Sequence, residues 1–185
     1  QAVGKGVMVV LDDRILSARE GRKQYQRTGG FTTGDMGMLG AVGGDGPEFF
    51  FSPVRRHGSS SEFDLSHIET LPRVELAFSY PGGTGPHFDP QPAGVVVATT
   101  GLTRDESVAY RKLRTAGVVV VTAFPSGDNV SSTRSFAPAR SDTSTPPVTA
   151  DDSLRASERA APPTVAAQHI TPQKARILLM LALTR

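Results

Sequence analysis

The sequence contains no cysteine, and this absence narrows the chemistry that the chain can perform. Without cysteine there is no disulfide framework, no thiolate nucleophile and no thiolate metal ligand, and the redox compartment stays open. The four histidines are too scattered along the sequence for the spacing of a zinc site. They are His57, His67, His87 and His169. We therefore predict neither a metal nor any other cofactor.

The chain also has no strong excess of positive or negative charge, and it contains no long apolar run. It carries 20 basic and 18 acidic residues, a formal net charge of +2, and no run of lysine and arginine exceeds two residues. This pattern gives little support to nucleic-acid binding, so we predict no nucleic-acid partner. No apolar run approaches the ~20 residues that a membrane-spanning helix needs, so we predict no membrane partner.

What the sequence does contain is a set of strand-like runs rich in β-branched residues, at 6–11, 95–98 and 118–121. Continuous apolar runs of this kind are typical of strands covered on both faces, as in parallel sheets. Residues 72–80 alternate apolar and polar side chains, which predicts a further strand. A helix predicted over 103–116 would join the last two runs into a strand–helix–strand unit.

The helix predicted over 103–116 has a defined start and polarity. Thr103 is a candidate N-cap, and Asp105 and Glu106 stand in the first turn, where carboxylates suit the helix dipole. The residues that we expect on its buried face are Val108, Leu113 and Ala116.

The last stretch, residues 171–185, predicts a second helix. Thr171 is a candidate hydroxyl N-cap, and Pro172 occupies the first helical position, where its missing N–H is tolerated. Strong helix formers continue to residue 185 without a C-cap signal.

Five short motifs stand in order along the chain, and each is weak alone. They are Asp12-Asp13 with Ser17-Ala18-Arg19, Gly37-Met38-Leu39-Gly40, Arg56-His57 with Ser61-Glu62-Phe63-Asp64, Leu71-Pro72-Arg73-Val74, and Pro172-Gln173-Lys174-Ala175-Arg176. Their order and spacing resemble those of the bacterial type II L-asparaginase and glutaminase-asparaginase family over nearly the whole chain.

The elements and the resemblance together imply an α/β fold, in which a C-terminal flavodoxin-like parallel-sheet domain follows the closing strand and hairpins of a larger α/β domain. Residues 1–52 would end the large N-terminal domain, 53–70 would form an interdomain linker, and 71–185 would form the smaller C-terminal domain, incomplete at its end. Residues 125–165 are rich in Ser, Thr, Pro and Ala, and we expect this stretch to be mobile.

The resemblance implies a homotetrameric enzyme, periplasmic or cytoplasmic, that hydrolyses the side-chain amide of L-asparagine or L-glutamine to the acid and ammonia. Such chemistry needs a threonine nucleophile, activating hydroxyl, lysine and carboxylate groups, and donors to the developing oxyanion. The family carries them in a Thr-Gly-Gly-Thr loop, a His-Gly-Thr-Asp-Thr segment and a lysine that would fall immediately before Gln1. We therefore expect a chain that is cut at both ends, holds no catalytic residue and is inactive alone.

The resemblance also implies that the smaller domain completes a neighbouring subunit's site with an asparagine and a glutamate. Leu102 stands at the asparagine position, and a leucine side chain supplies neither donor nor acceptor. The glutamate position falls near Ala156, and Glu158 is the closest carboxylate. Thr100 can offer a hydroxyl where open α/β sheets bind ligands, at the carboxyl ends of the strands. The candidate substrate-binding residues are therefore Thr100 and Glu158.

Several segments have both a functional and a structural interpretation. Asp12-Asp13 is either a metal or acid–base pair or a turn, and residues 81–87 are either a phosphate cradle or a plain turn. The segment 55–57 either meets an acidic partner or is a solvated linker. Thr99-Thr100 either donates hydroxyls to a substrate or forms a structural turn. In each case we favour the structural interpretation.

For the whole chain, the preferred hypothesis is the C-terminal part of an asparaginase-like amidohydrolase. The alternative is a degenerate relative whose α/β domain persists as a non-catalytic binding or assembly module. Three features favour it: Leu102, the Ser- and Pro-rich stretch at 125–165, and Ala123, which lies where the resembling family carries an Arg-Ser-Ser-Arg run. A free nucleotide-binding module is the weakest hypothesis, because no strand is followed by a Gly-rich loop that opens a helix.

Overall fold

The computed structural model of the chain describes residues 2–127 and 161–185. It divides into two compact units, Gln1–Glu69 and Thr70–Arg185. The prediction of mobility for 125–165 falls almost entirely outside the described residues.

A four-stranded antiparallel sheet forms the first unit, beside a short separate hairpin. The strands are Met8–Leu11 (β1), Arg14–Ser17 (β2), Arg22–Lys23 (β3), Phe31–Thr32 (β4), Gly40–Gly43 (β5) and Gly46–Phe49 (β6). The sheet has the order β1-β2-β5-β6, and β3 pairs with β4. Short 3-10 turns occur at Gly34–Met36 and Gly58–Ser60. The buried apolar side chains of this unit are Ile15, Leu16 and Leu39.

The first apolar run is not the strand covered on both faces that its composition predicts. Strand β1 is an edge of the antiparallel sheet, and the side chains of Val7 and Val10 are 80% and 58% exposed. Asp12 and Asp13 have φ angles of 51° and 57°, as in a type I′ turn, so the chain returns at once along β2. This confirms the aspartate pair as a turn. The turn also explains why the prediction of a strand covered on both faces is wrong, since so short a connection cannot join parallel strands.

A four-stranded parallel sheet with a helix on each face forms the second unit. Its elements are Val74–Phe78 (β7), Gly94–Ala98 (β8), Arg104–Thr115 (α1), Val119–Ala123 (β9), Val165–Ala166 (β10) and Pro172–Ala182 (α2). The strand order is β10-β9-β8-β7, and every neighbouring pair is parallel. The predicted α/β class, with a parallel-sheet domain after antiparallel hairpins, is confirmed.

Strand β8 lies at the centre of this core and is buried along its whole length. Because successive side chains of a strand point to opposite faces, β8 contributes to two separate apolar clusters. Val96 packs with Leu179 of α2 on one face. Val95 and Val97 pack with Tyr110 of α1 on the other. A continuous apolar run is what such a doubly covered strand requires.

The buried face of α1 differs from the predicted one. Its buried residues are Glu106, Tyr110 and Arg114, which follow one another at intervals of four residues. The predicted set was Val108, Leu113 and Ala116. Of these, Leu113 packs partly buried against the cluster, and Ala116 is exposed. The apolar pattern missed this face because two of its three residues are charged and are held by hydrogen bonds rather than by apolar contact alone.

Helix α2 begins where the sequence predicts, with Thr171 at the N-cap and Pro172 in the first turn. The Thr171 hydroxyl makes no capping hydrogen bond, so the expected side-chain cap is wrong. Its carbonyl oxygen accepts instead from the Ala175 N–H, at 2.9 Å. Arg176 Nε donates to the Val74 carbonyl oxygen at 2.7 Å, which ties α2 to strand β7.

No helix within residues 2–127 and 161–185 is both long and apolar enough to cross a membrane.

Candidate functional site

The carboxyl ends of β7, β8 and β9 lie side by side and form the candidate site. Hydrogen bonding between the strands continues past their ends. The Ser79 N–H donates to Ala98 O at 3.0 Å, and the Thr99 N–H donates to Ala123 O at 2.9 Å. The segment that follows β8, residues 99–103, therefore leaves the sheet beside both neighbouring strands. This is the edge at which open α/β sheets place their ligands.

The two adjacent threonines at this edge have different roles. Thr99 is buried, and its hydroxyl oxygen accepts a hydrogen bond from the Gly101 N–H at 2.8 Å. The structural interpretation is therefore confirmed for Thr99, whose side chain closes a turn. Of the two threonines, Thr100 is the exposed one, and among the described residues its hydroxyl has no hydrogen-bond partner.

The structure does not bring together the two predicted substrate-binding residues. Thr100 lies at the carboxyl edge of β8, whereas Glu158 lies outside the described residues. Its predicted contact with a substrate stays a prediction.

Leu102 takes an apolar position. Its side chain packs, partly buried, against the cluster that contains Val95, Val97 and Tyr110. The position at which the resemblance predicts an asparagine is thus filled here by a side chain that contributes to the core. An amide at this point would lie against apolar side chains.

The sequence places the Glu106 carboxylate in the first turn of α1 but does not predict that it is buried. Glu106 is only 2% exposed. Its Oε2 accepts from the Ser79 hydroxyl at 2.6 Å and from the Thr103 N–H at 2.9 Å, and its own N–H donates to Thr103 Oγ1 at 3.1 Å. The last two bonds form a capping box. The Thr-x-x-Glu spacing that opens α1 was the signal that could have revealed it.

The glycine-rich segment 81–87 begins with a turn, which agrees with the structural interpretation favoured for it over a phosphate cradle. The Gly83 N–H donates to Tyr80 O at 2.9 Å, and Gly82 has a φ of 82°, a conformation that glycine adopts without strain. No helix begins after this segment, so it lacks the backbone geometry of a phosphate cradle.

Tyr110, one helical turn after Glu106 in α1, is buried against the parallel sheet. Burial first, and then the charge of Glu106, raise the pKa of Tyr110 well above its ordinary value, so its phenol is neutral at physiological pH. In the part of the chain that the structure describes, no group of three His, Asp or Glu side chains could hold a metal ion.

Comparisons with known proteins extend over the whole chain. No protein-family model matches the sequence. The chain is 30% identical to L-asparaginase 2 of Bacillus subtilis over an alignment of 194 residues, which covers 100% of this chain and 45% of that protein. It is 41% identical over 80 residues to the glutaminase-asparaginase of Pseudomonas aeruginosa, which covers 43% of this chain and 22% of that protein.

A solved structure agrees with these sequence matches. The crystal structure of the Probable Cytoplasmic L-asparaginase from Campylobacter jejuni superposes with a TM-score of 0.76 at 28% identity, covering 98% of this chain and 51% of that chain. The chain therefore spans about half the length of the relatives that it matches from end to end. This chain is homologous to the L-asparaginases and glutaminase-asparaginases, as its ordered motifs predict.

Proposed function

We propose that this chain forms the smaller domain, and the end of the larger one, of an asparaginase-like amidohydrolase. The complete protein would hydrolyse the side-chain amide of L-asparagine, or of L-glutamine, to the carboxylic acid and ammonia. The observation that carries the proposal is the end-to-end match, in sequence and in structure, to proteins named L-asparaginase. The 185 residues hold neither the Thr-Gly-Gly-Thr nor the His-Gly-Thr-Asp-Thr motif that the resemblance implies, so the nucleophile would lie outside them.

In this proposal the chain supplies part of the wall of the substrate pocket. Thr100 is the candidate contact, because its exposed hydroxyl can both donate and accept at the carboxyl edge of the parallel sheet. A hydroxyl there suits the amino or carboxylate group of an amino acid substrate. The complete protein would be a homo-oligomer, a tetramer by resemblance, in which this edge completes the site of a neighbouring subunit.

One observation favours the alternative of a non-catalytic binding or assembly module. Leu102 packs against the core at the position where the resembling family places an asparagine. A degenerate relative would retain the fold, as this chain does, and would lose the polar groups that bind the substrate.

Ammonia release by the complete protein, assayed with L-asparagine and L-glutamine separately, tests the proposal. We expect turnover of at least one of them. We expect Thr100→Val to raise KM about tenfold, the effect of one lost hydrogen bond, and Thr100→Ser to restore it. Thr115→Val, at the exposed end of α1, is the matched control and should leave KM unchanged. A folded complete protein that releases no ammonia from either substrate would favour the non-catalytic module.

A further inference from the structure

The segment after β7 and the segment that leads into α1 meet at the buried carboxylate of Glu106. Ser79 follows β7, 27 residues before Glu106, and donates its hydroxyl proton to Oε2. Thr103, at the end of the segment after β8, donates its N–H to the same oxygen. A carboxylate that is this buried needs such donors, because an unsatisfied buried charge is costly. Loss of the carboxylate would remove the acceptor of the Thr103 N–H and one of the two acceptors within reach of the Ser79 hydroxyl.

The glycine-rich segment that follows β7 closes over the same carboxylate. The Thr103 hydroxyl donates to Gly83 O at 2.6 Å, which joins this segment to the start of α1. A Cβ at Gly83 would overlap the carboxylate of Glu106 and lie 3.0 Å from Tyr80 O. A Cβ at Gly85 would overlap the side chain of Ala109. The glycines of this segment therefore permit close approach to α1, a role that differs from binding phosphate.

These contacts hold both ends of the segment that carries Thr100. At the start, Thr99 is bonded to Ala123 of β9 and to Gly101. At the end, Thr103 is held by Glu106 through the capping box. The Ser79 hydroxyl also lies 3.1 Å from Gly101 O, between the two ends. Thr100 and Gly101 are the exposed residues between these two fixed ends, and of the two only Thr100 carries a side-chain hydroxyl.

A capping box alone would explain only the local bonds between Thr103 and Glu106. It would require neither a serine from the end of β7 nor a glycine from the segment after it. Both are present, and both bonds span at least 20 residues of sequence. Glu106 thus links the segment after β7 to the segment after β8, which carries Thr100.

We propose that Glu106 is a positioning residue, which fixes the segment 99–103 so that the Thr100 hydroxyl is presented at the carboxyl edge of the sheet. This inference deepens the proposed function, since Thr100 is the substrate contact of that function. Glu106 itself touches no substrate, because it is buried beneath the segment.

Amide hydrogen exchange of the 185-residue chain, resolved by residue, tests this proposal without any need for turnover. We expect Glu106→Ala to speed exchange at the Thr103 amide about tenfold, the effect of one lost hydrogen bond to a charged group. Exchange at the Gly101 amide, which is bonded to Thr99, should also speed up because the segment is released. Exchange along β8 should stay within about twofold of the unaltered chain, because those amides do not depend on Glu106. Glu106→Gln keeps the shared acceptor oxygen and the side-chain volume, so it should restore slow exchange.

Asp105→Asn is the matched control, because it removes the same charge from the same turn of α1 at an exposed position. It should leave exchange at Gly101 and Thr103 unchanged. Unaltered exchange at these amides in Glu106→Ala would overturn the proposal. If Glu106→Ala speeds amide exchange equally through β8, the milder variant Ser79→Ala is measured in its place. A local increase in Ser79→Ala would support the proposal, and a uniform increase or none would overturn it.

Kinetics of the complete protein separate this inference from the proposed function. If the complete protein is an amidohydrolase, Glu106→Ala should raise KM about tenfold, as Thr100→Val does, and Glu106→Gln should rescue KM. An unchanged KM in Glu106→Ala would overturn the positioning role in an active enzyme. If the complete protein has no activity, the proposed function fails, and the exchange experiment still decides whether Glu106 holds the segment.

Discussion

At the scale of single residues, His57 has an unusual pair of hydrogen-bond partners. Its Nε2 lies 2.8 Å from Gly4 O, and its Nδ1 lies 2.7 Å from Arg55 O. Both partners are acceptors, and only the doubly protonated ring can donate to both. The hydrogen bond to Gly4, and then the one to Arg55, raise the pKa of His57 above its ordinary value. Protonation of His57 therefore favours the folded chain.

The raised pKa of His57 sets the sign of its pH dependence. Its stabilising contribution should be complete below the unfolded value of about 6.5 and should be lost as the pH rises through the folded pKa. NMR titration of the ring protons should give a midpoint above about 6.5. His57→Phe should flatten the pH dependence of unfolding over this window. A midpoint at or below the ordinary value would contradict the hydrogen bonds as described.

Leu102 gives a second test at this scale. Because Leu102 packs against the cluster of Val95, Val97 and Tyr110, Leu102→Asn should place an amide among apolar side chains. We expect it to lower the free energy of unfolding by about 1–3 kcal/mol, whereas Leu102→Met should cost less than about 1.5 kcal/mol. Denaturant unfolding of both variants measures the difference. Equal stability of the two would show that the side chain at 102 is not part of the core.

At the scale of elements, turn chemistry decided which apolar runs became buried strands. The run that contains β8 and the run that contains β1 have similar compositions, and both predict a strand covered on two faces. They differ in the residues after the strand, because β8 leads into a helix of 12 residues whereas Asp12-Asp13 reverses the chain at once. Three of the four strands of the parallel sheet, and both described helices, could be predicted from periodicity and helix starts, whereas the two-residue strand β10 could not. The edge position of β1 could not, since apolar composition alone does not report pairing.

The candidate site could be predicted only in part, because contacts between residues that are distant in sequence leave no local pattern. Thr100 could be placed at a strand end from the apolar run before it. The burial of Glu106 could not, because its partner Ser79 lies 27 residues away and Gly83 is brought near by the parallel sheet. Long-range pairing of this kind leaves no local pattern beyond the Thr-x-x-Glu spacing.

The glycine-rich segment after β7 offers a test at this scale. Gly83→Ala should lower the free energy of unfolding by about 1–3 kcal/mol, because its Cβ would overlap the Glu106 carboxylate. Gly101→Ala is the matched control, since a Cβ there meets no atom within 4 Å and its φ is not positive. Its effect should stay within about 0.5 kcal/mol. Thermal or denaturant unfolding compares the two, and similar losses in both would refute the close approach.

The packing of α2 on the sheet can be tested on a single helix. Leu179 is 8% exposed in the cluster with Val74 and Val96, whereas Ile177 of the same helix is 48% exposed. We expect Leu179→Ala to cost about 2–5 kcal/mol and Ile177→Ala clearly less. Urea unfolding of the two variants measures the contrast. If Ile177→Ala costs as much, the face of α2 that covers the sheet has been assigned wrongly.

At the scale of the whole molecule, this chain is similar in sequence and in fold to about half the length of the L-asparaginases that it matches. Its described residues include a parallel sheet whose carboxyl edge carries an exposed threonine hydroxyl and a buried carboxylate beneath it. They include no nucleophile activated by a neighbouring base at that edge.

The central claim is that this chain contributes to an amidohydrolase whose nucleophile lies outside its 185 residues. The most direct test is ammonia release from L-asparagine and L-glutamine, measured in parallel with this chain alone and with the complete protein encoded by its reading frame. The account predicts release by the complete protein and none by the chain alone. Release by the chain alone, or none by the folded complete protein, would contradict it.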